Sequence, residues 1–127
     1  MNPAPGFKKH PQHHVTAKPS HAHVRIMYHG ELIADTHEAV ELHEDAGDGK
    51  KTVSPVVYYV PRDDVRMDLL VRTDLTTHCP FKGDAAYFSV RGGADNAVWT
   101  YESPYDEMTA IKDRLAFYPD KFDIQPQ

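Results

Sequence analysis

Apolar and polar side chains alternate with a period of two from Val24 onward, which is the pattern of β-strands that have one buried face. In the first run Val24 and Ile26 share one face, and residues 31–34 resume the alternation after a break at Gly30. Because glycine adopts a positive φ without steric cost, Gly30 suits the turn of a tight hairpin. The pattern therefore predicts two paired strands around Gly30.

A second and clearer hairpin is predicted later in the chain. Residues 86–90 and 97–101 alternate in the same way, and the glycine-containing run 92–96 separates them. Residues 55–61 are apolar on both faces and bounded by prolines, which predicts a central strand covered on both sides. Further short strands are predicted at 38–44 and 116–118, with a polar turn at 45–51, and residues 67–72 fit either a strand or a helical turn.

One helix is predicted after the second hairpin. Ser103 has the side chain of a good N-cap, and Pro104 suits the first helical position. Met108, Ile111 and Leu115 then recur at helical spacing. The fold class predicted from these patterns is mainly β, with antiparallel strands and one short helix.

The first twenty-three residues differ in composition from the rest of the chain. They hold four of the ten prolines and five of the nine histidines, and they contain few large apolar side chains. Such a segment buries too little apolar surface to offset the entropy of folding. The composition predicts a flexible His/Pro-rich arm at 1–23 and a single compact domain at 24–127. These histidines have no acidic or thiol neighbours, so no metal site is predicted.

The charge balance bears on partners and location. The chain has a net charge of −5, and its first twenty-three residues hold three lysines and no acid, so residues 24–127 carry eleven basic and nineteen acidic side chains, or −8. An acidic domain repels a phosphate backbone, so no nucleic-acid partner is expected. The single cysteine indicates a reducing compartment, and no run is long and apolar enough for a membrane span or a secretory signal. A cytoplasmic protein without membrane association is expected, either a monomer or a homodimer.

The most reactive side chains are concentrated in the stretch 76–83, which includes His78, Cys79 and Lys82. A thiol beside a cationic Lys or His becomes nucleophilic at neutral pH, so Cys79 and His78 are the candidate catalytic residues. The alternative is that Cys79 packs as a small apolar side chain. Neighbours on an extended strand point to opposite faces, so contact between His78 and Cys79 does not follow from their adjacency.

Lys82 and Gly83 do not form a phosphate-binding loop. A Walker sequence requires glycine before the lysine and a Ser or Thr after it, at the start of a helix, whereas here a strand follows. Lys82 is therefore either an exposed residue of a tight turn or a cation at the mouth of a pocket, where it would meet a carboxylate or phosphate.

Hydroxylated aromatic side chains are numerous for a domain of this size. Each buried hydroxyl needs a hydrogen-bond partner, so some of these rings are expected to line a cleft that is apolar with a few polar groups, as ligand sites are. Arg25 and Arg62 are the cations expected to join Lys82 there, with Glu44 or Asp64 orienting them. The predicted ligand-binding residues are Arg25, Tyr59, Arg62, Thr77, Lys82, Tyr87, Trp99 and Tyr101.

Several segments together resemble one bacterial family, domain of unknown function number 427. They are Val24-Arg25, Ile33-Ala34-Asp35-Thr36, Tyr58-Tyr59-Val60-Pro61-Arg62-Asp63-Asp64-Val65, Thr77-His78-Cys79-Pro80-Phe81-Lys82-Gly83, Ala86-Tyr87-Phe88-Ser89, Ala97-Val98-Trp99-Thr100-Tyr101 and Ala116-Phe117-Tyr118. The resemblance implies a β-tent-like arrangement, in which two antiparallel sheets lean together over a pocket. Relatives of that shape hold zinc with paired cysteines, and because this chain has only Cys79, a structural zinc of that type is not expected.

Three functional classes follow from these observations. The first is a binding module that holds a small anionic or aromatic metabolite between aromatic walls and Lys82, without a cofactor. The second is an enzyme that uses Cys79 or His78 with Lys82. The family is also labelled nucleotidyltransferase-like, so the resemblance implies a nucleotide as the substrate of such an enzyme. No clustered carboxylates mark a two-metal site, which counts against nucleotidyl transfer. The third is a protein-interaction domain that uses an exposed strand edge.

Overall fold

The computed structural model describes residues 3–9, 14–45 and 56–127. Within these ranges the chain forms ten β-strands, one short α-helix and three 3₁₀ helices, so the predicted mainly β class is confirmed. The strands are β1 His14–Pro19, β2 Val24–Tyr28, β3 Glu31–Thr36, β4 Val40–Asp45, β5 Val57–Tyr59, β6 Leu70–Cys79, β7 Gly83–Val90, β8 Val98–Tyr101, β9 Leu115–Phe117 and β10 Asp123–Pro126. The α-helix is α1 Pro5–Lys9, and the 3₁₀ helices are Arg62–Asp64, Met67–Leu69 and Asp106–Ile111.

The strands of the described residues form three antiparallel sheets, where the resemblance implies two. Their strand orders are β1-β4-β5, β10-β2-β3 and β6-β7-β8-β9. Val60 and Leu115 exchange two backbone hydrogen bonds of 2.8 Å each, which connect β5 of the first sheet to β9 of the third. Within the apolar run predicted at 55–61, residues 57–59 form β5, which lies between β4 and β9. Residue 55 and residues 46–51 of the predicted polar turn lie outside the described residues.

The two predicted hairpins are present. In the first, β2 pairs with β3, and His29 and Gly30 both have positive φ, 47° and 83°. Two consecutive residues of positive φ match the right-handed twist of the flanking strands. Val24 and Ile26 are fully buried, as their alternation predicts. In the second hairpin, β7 pairs with β8.

The predicted helix after Ser103 is wrong in type and in its start. Asp106–Ile111 is a 3₁₀ helix that follows Tyr105, no side chain caps it, and Met108 departs from helical φ/ψ. Tertiary contacts override the local signals here. The Tyr105 amide donates to the carbonyl of Lys82 at 3.0 Å, while Met108 and Ile111 are buried in the core.

The segment predicted as an arm contributes to the folded domain. β1 pairs with β4 over six residues, which gives β4 a partner on the side away from β5. Ahead of β1, the Gly6 amide donates to the carbonyl of Pro80 at 2.9 Å, and the rings of Phe7 and Phe81 meet edge to face. The composition of residues 1–23 does not reveal these contacts, because their partners lie far along the chain.

The buried apolar side chains form two clusters. The larger one packs the second sheet against β7, β8 and β9. The smaller one lies between the first and third sheets and contains Leu42, Tyr59, Tyr87 and Tyr101. Among the described residues, none of the helices has the length and apolar character that a membrane crossing requires.

Candidate ligand-binding cavity

A cavity of about 220 Å³ opens beside the smaller cluster, between strands β4 and β5 on one side and β7 and β8 on the other. Its walls combine aromatic rings, two aliphatic side chains and one pair of opposite charges. They are formed by Leu42, Glu44, Val57, Tyr59, Lys82, Tyr87, Trp99, Tyr101 and Tyr118. Five of the eight predicted ligand-binding residues, Tyr59, Lys82, Tyr87, Trp99 and Tyr101, therefore line one cavity.

The charged part of the wall is an ion pair between Lys82 and Glu44. Lys82 Nζ lies 2.7 Å from Glu44 Oε1, and the two side chains are only 13% and 25% exposed. Removing two charges from water costs free energy, which their mutual attraction and further hydrogen bonds must offset. Lys82 is thus a partly buried cation of the cavity wall and not an exposed turn residue.

The turn between β6 and β7 directs Lys82 toward the cavity. The Lys82 amide donates to the carbonyl of Cys79 at 3.3 Å, which closes the turn. Gly83 follows with φ 116°, and a Cβ at this position would stand 3.3 Å from the carbonyl oxygen of Ser103. The positive φ and the close backbone together require glycine immediately after the lysine.

Hydroxyl groups around the cavity are joined by hydrogen bonds. Thr77 Oγ1 and the hydroxyl of Tyr87 lie 2.9 Å apart. The predicted ligand residue Thr77 therefore contacts the wall through Tyr87 and does not itself line the cavity. The indole N–H of Trp99 donates to the hydroxyl of Tyr59 at 3.2 Å. These contacts fix the orientation of the rings before any ligand enters.

Three tyrosines of the wall, Tyr59, Tyr101 and Tyr118, remain uncharged near neutral pH. Burial is the main cause that raises the pKa of Tyr59 and of Tyr101, and negative charge at Glu44 raises both further. Burial and a hydrogen bond with Tyr87 raise the pKa of Tyr118 to about 12. Because no phenolate forms, these hydroxyls offer neutral donors and acceptors and not general bases.

Trp99 separates this cavity from a second, more apolar one of about 370 Å³. Its ring packs on Tyr118 with centroids 4.5 Å apart and meets Tyr59 edge to face. The second cavity is lined by Val56, Val57, Tyr58, Trp99, Phe117, Pro119, Ile124 and Pro126. Trp99 therefore reports on both cavities.

The two candidate catalytic residues do not converge. His78 Nδ1 lies 2.7 Å from Asp84 Oδ1 on an exposed surface, and its ring meets Tyr105 edge to face. Cys79 is partly buried, at the end of β6 opposite Gly83. Alternation along β6 explains the separation, since adjacent side chains of a strand point to opposite faces.

Arg25 and Arg62 do not reach the cavity, which corrects their prediction as ligand-binding residues. Arg25 lies on β2 in the second sheet, where its nearest carboxylate is Asp35 at 3.8 Å. The Arg62 side chain donates to the carbonyl of Asp113 at 2.7 Å and to Glu102 at 3.1 Å. Both arginines therefore form contacts within other parts of the domain.

Glu102 binds two guanidinium groups at once. Arg72 donates to both of its carboxylate oxygens, at 2.9 and 2.6 Å, and Arg62 donates at 3.1 Å. Both guanidinium groups also lie over the ring of Phe88, at 5.7 and 5.9 Å from its centroid. The hydrogen bond from Arg72 is the largest cause that lowers the pKa of Glu102, from an ordinary 4.5 to about 2.

This pKa predicts an acid-dependent loss of stability. A carboxyl whose pKa is lower in the folded state stabilises the fold fully above its unfolded value, so the contribution of Glu102 is lost as the pH falls from about 4.5 toward 2. We expect Glu102→Gln to flatten the dependence of the urea midpoint on pH in that window. Arg72→Gln should raise the pKa of Glu102 measured by NMR. An unchanged pKa in the Arg72 variant would contradict this account.

The cavity also contains residues outside the predicted ligand set. Glu44 was named only as a possible orienting carboxylate, and Leu42, Val57 and Tyr118 were not assigned to the site. The only signal for Tyr118 was the excess of hydroxylated rings. Leu42 and Val57 carry no signal beyond strand alternation, because any buried aliphatic position has the same pattern.

No group of three or more His, Cys, Asp or Glu side chains is arranged to hold a metal ion in the part of the chain that the structure describes. The carboxylate nearest to the cavity cation, Glu44, is engaged with Lys82. The described residues therefore indicate a site built from rings, hydroxyls and one ion pair.

Comparison with known protein families identifies a family for this chain. The family model described as domain of unknown function (DUF427) matches residues 16–126. The matched span begins within β1 and includes every residue of the cavity wall. No curated protein sequence matches the chain.

Proposed function

The chain belongs to the DUF427 family of domains of unknown function, and we propose that its domain binds a small aromatic molecule in the cavity between Lys82 and Trp99. One observation carries the proposal: a partly buried ion pair lines a cavity whose other walls are five aromatic rings and two aliphatic side chains. Ligand sites have this composition, with a mostly apolar wall and a few polar groups that orient the ligand.

The cost of the ion pair supports a binding role. A pair of well-packed apolar side chains is often as stabilising as a buried ion pair, or more so. Apolar side chains at positions 82 and 44 would therefore stabilise the fold about as well as the ion pair does. Charged groups in a concave aromatic wall are useful, however, for recognising the polar end of a ligand.

Binding is better supported than catalysis. Burial raises the pKa of Tyr59 and of Tyr101, so these two residues do not supply a base near neutral pH. His78 interacts with Asp84 on an exposed surface, away from the partly buried Cys79. The side chains that converge on the cavity thus provide shape, hydrogen bonds and balanced charge.

The proposal is tested by adding aromatic compounds to the protein and measuring the fluorescence emission of Trp99, the single tryptophan of the chain. We expect one-ring aromatic compounds such as benzamide and benzoate to change its emission saturably and to raise the melting temperature. A compound at a hundred times its Kd adds roughly 2.7 kcal/mol to the free energy of unfolding. Acetamide and acetate, which lack the ring, are the matched controls and should have no effect at the same concentrations.

A variant pair separates the cavity from the rest of the surface. Tyr118→Ala removes an exposed part of the wall, so it should weaken binding while the protein remains folded. Tyr105→Ala removes a ring that contacts His78 outside the cavity and should bind as the wild type does. If no aromatic compound gives a saturable response, or if the two variants respond alike, the proposed function is wrong.

A further inference from the structure

Among the described residues that line the cavity, one positive and one negative side chain balance each other. Lys82 Nζ and Glu44 Oε1 lie 2.7 Å apart, and both side chains line the cavity. Tyr59 and Tyr101 stay neutral, because burial raises the pKa of each. A ligand that approaches Lys82 therefore meets a carboxylate beside the ammonium.

This balance disfavours charged ligands. An anion attracted by Lys82 is repelled at nearly the same distance by Glu44, and a cation experiences the reverse. An ammonium group carries three donors, and a carboxylate accepts several hydrogen bonds, so an ion-paired Lys and Glu present a donor next to an acceptor. The complementary group carries an acceptor next to a donor and no net charge.

We propose that the ligand of this cavity is a small aromatic carboxamide, whose carbonyl oxygen accepts from Lys82 and whose N–H donates to Glu44. This inference rests on the proposed function and narrows it from aromatic molecules in general to neutral amides. A planar amide has the two groups side by side, at the spacing of a bidentate contact. The ion pair remains intact when the amide binds, so no buried charge is left without its partner.

The volume of the cavity limits the size of the ligand. Its volume is about 220 Å³. An apolar cavity of about 150 Å³ holds a benzene molecule in another protein. One ring and one amide group therefore fill the space, with the ring against the aromatic side chains of Trp99 and Tyr101. Benzamide is the smallest probe that has both parts.

The experiment compares three probes of the same shape and different charge. Benzamide is neutral, benzoate is an anion and benzylamine is a cation at neutral pH. Each is titrated into the full-length protein, and the emission of Trp99 gives its Kd. We expect benzamide to bind about tenfold more tightly than either charged probe, which is the factor that 1.4 kcal/mol provides.

Two variants should redirect the preference. Glu44→Gln removes the negative charge with little change in shape, so benzoate should become the tightest probe. Lys82→Met leaves the carboxylate of Glu44 without the ammonium of Lys82, so the affinity for benzylamine should increase more than that for the other two probes. The matched control is Asp68→Asn, which removes a carboxylate from the exposed pair of Asp68 with Arg66 and should leave the order of the three probes unchanged.

The possible results distinguish this inference from the proposed function. If benzoate or benzylamine binds the wild type most tightly, the amide inference is overturned while the cavity remains a binding site. If none of the three probes changes the emission of Trp99, neither this inference nor the proposed function stands. If Lys82→Met does not fold, the order of the probes on the wild type and on Glu44→Gln decides the question.

Discussion

Deletion of residues 1–19 should lower the melting temperature by roughly 10 °C or more, because it removes a whole strand from the first sheet. β1 pairs with β4 over six residues, and its loss exposes one edge of β4. The side chains of Val40 and Leu42, which are buried on β4, would become more exposed to solvent. Full exposure of one such side chain costs about 1.5 to 3 kcal/mol.

A shorter deletion provides the control for this prediction. Removal of residues 1–9 takes away α1 and its contacts with Pro80 and Phe81 but leaves β1 in place. It should lower the melting temperature by less than the longer deletion does. If both truncated proteins have the same melting temperature as the 127-residue chain, residues 1–19 behave as the arm that their composition predicts.

Leu115→Ala should lower the free energy of unfolding by about 2 to 5 kcal/mol. Leu115 is fully buried in the larger apolar cluster, and its backbone forms the bridge to Val60 that connects two sheets. Truncation leaves a cavity that a rigid junction of this kind cannot close by small movements. Equilibrium unfolding in urea measures the change.

The same substitution at an exposed leucine is the control. Leu75 lies on β6 and is 40% exposed, so Leu75→Ala should stay within about 0.5 kcal/mol of the wild type. Similar losses at Leu115 and Leu75 would show that burial does not determine the cost at these positions. A Leu115 variant as stable as the wild type would show that packing at the junction between β5 and β9 does not contribute to the stability of the domain.

The proposed binding function and the stability of the domain depend on different side chains. Leu115 stabilises the junction of two sheets but does not line the cavity. Lys82 and Glu44 line the cavity, yet their ion pair provides little stability after desolvation is counted. A single substitution at either charge leaves the other one partly buried without its counter-ion, so its effect on stability must be measured in urea beside its effect on ligand preference.

The hairpins could be predicted because their signals are local. Val24 and Ile26 alternate with polar neighbours, and Gly30 supplies a positive φ within the same ten residues. The helix after Ser103 was also predicted from local signals, and there they misled. Met108 and Ile111 repeat at helical spacing because both are buried against neighbouring strands, and a short 3₁₀ helix satisfies that burial as well as an α-helix does.

The candidate site shows the same division. The ring-bearing residues Tyr59, Tyr87 and Trp99 could be selected because hydroxylated and indole side chains are costly to bury without partners. Arg62 could not be excluded from the sequence, since its partners Glu102 and Asp113 lie 40 and 51 residues away. Glu44 likewise becomes part of the site only through the folding of β4 beside the turn that carries Lys82, 38 residues later.

Amino-acid order alone determined the mainly β class, the two hairpins and four of the five aromatic residues that line the cavity. The class and the hairpins follow from neighbours within a few positions. The tertiary structure decided that β1 pairs with β4, that Lys82 forms an ion pair with Glu44, and that His78 contacts Asp84 on an exposed surface. These outcomes depend on which distant strands pair and on which face each side chain occupies. Strand pairing is set by the packing of the whole domain, and a local pattern contains no record of it.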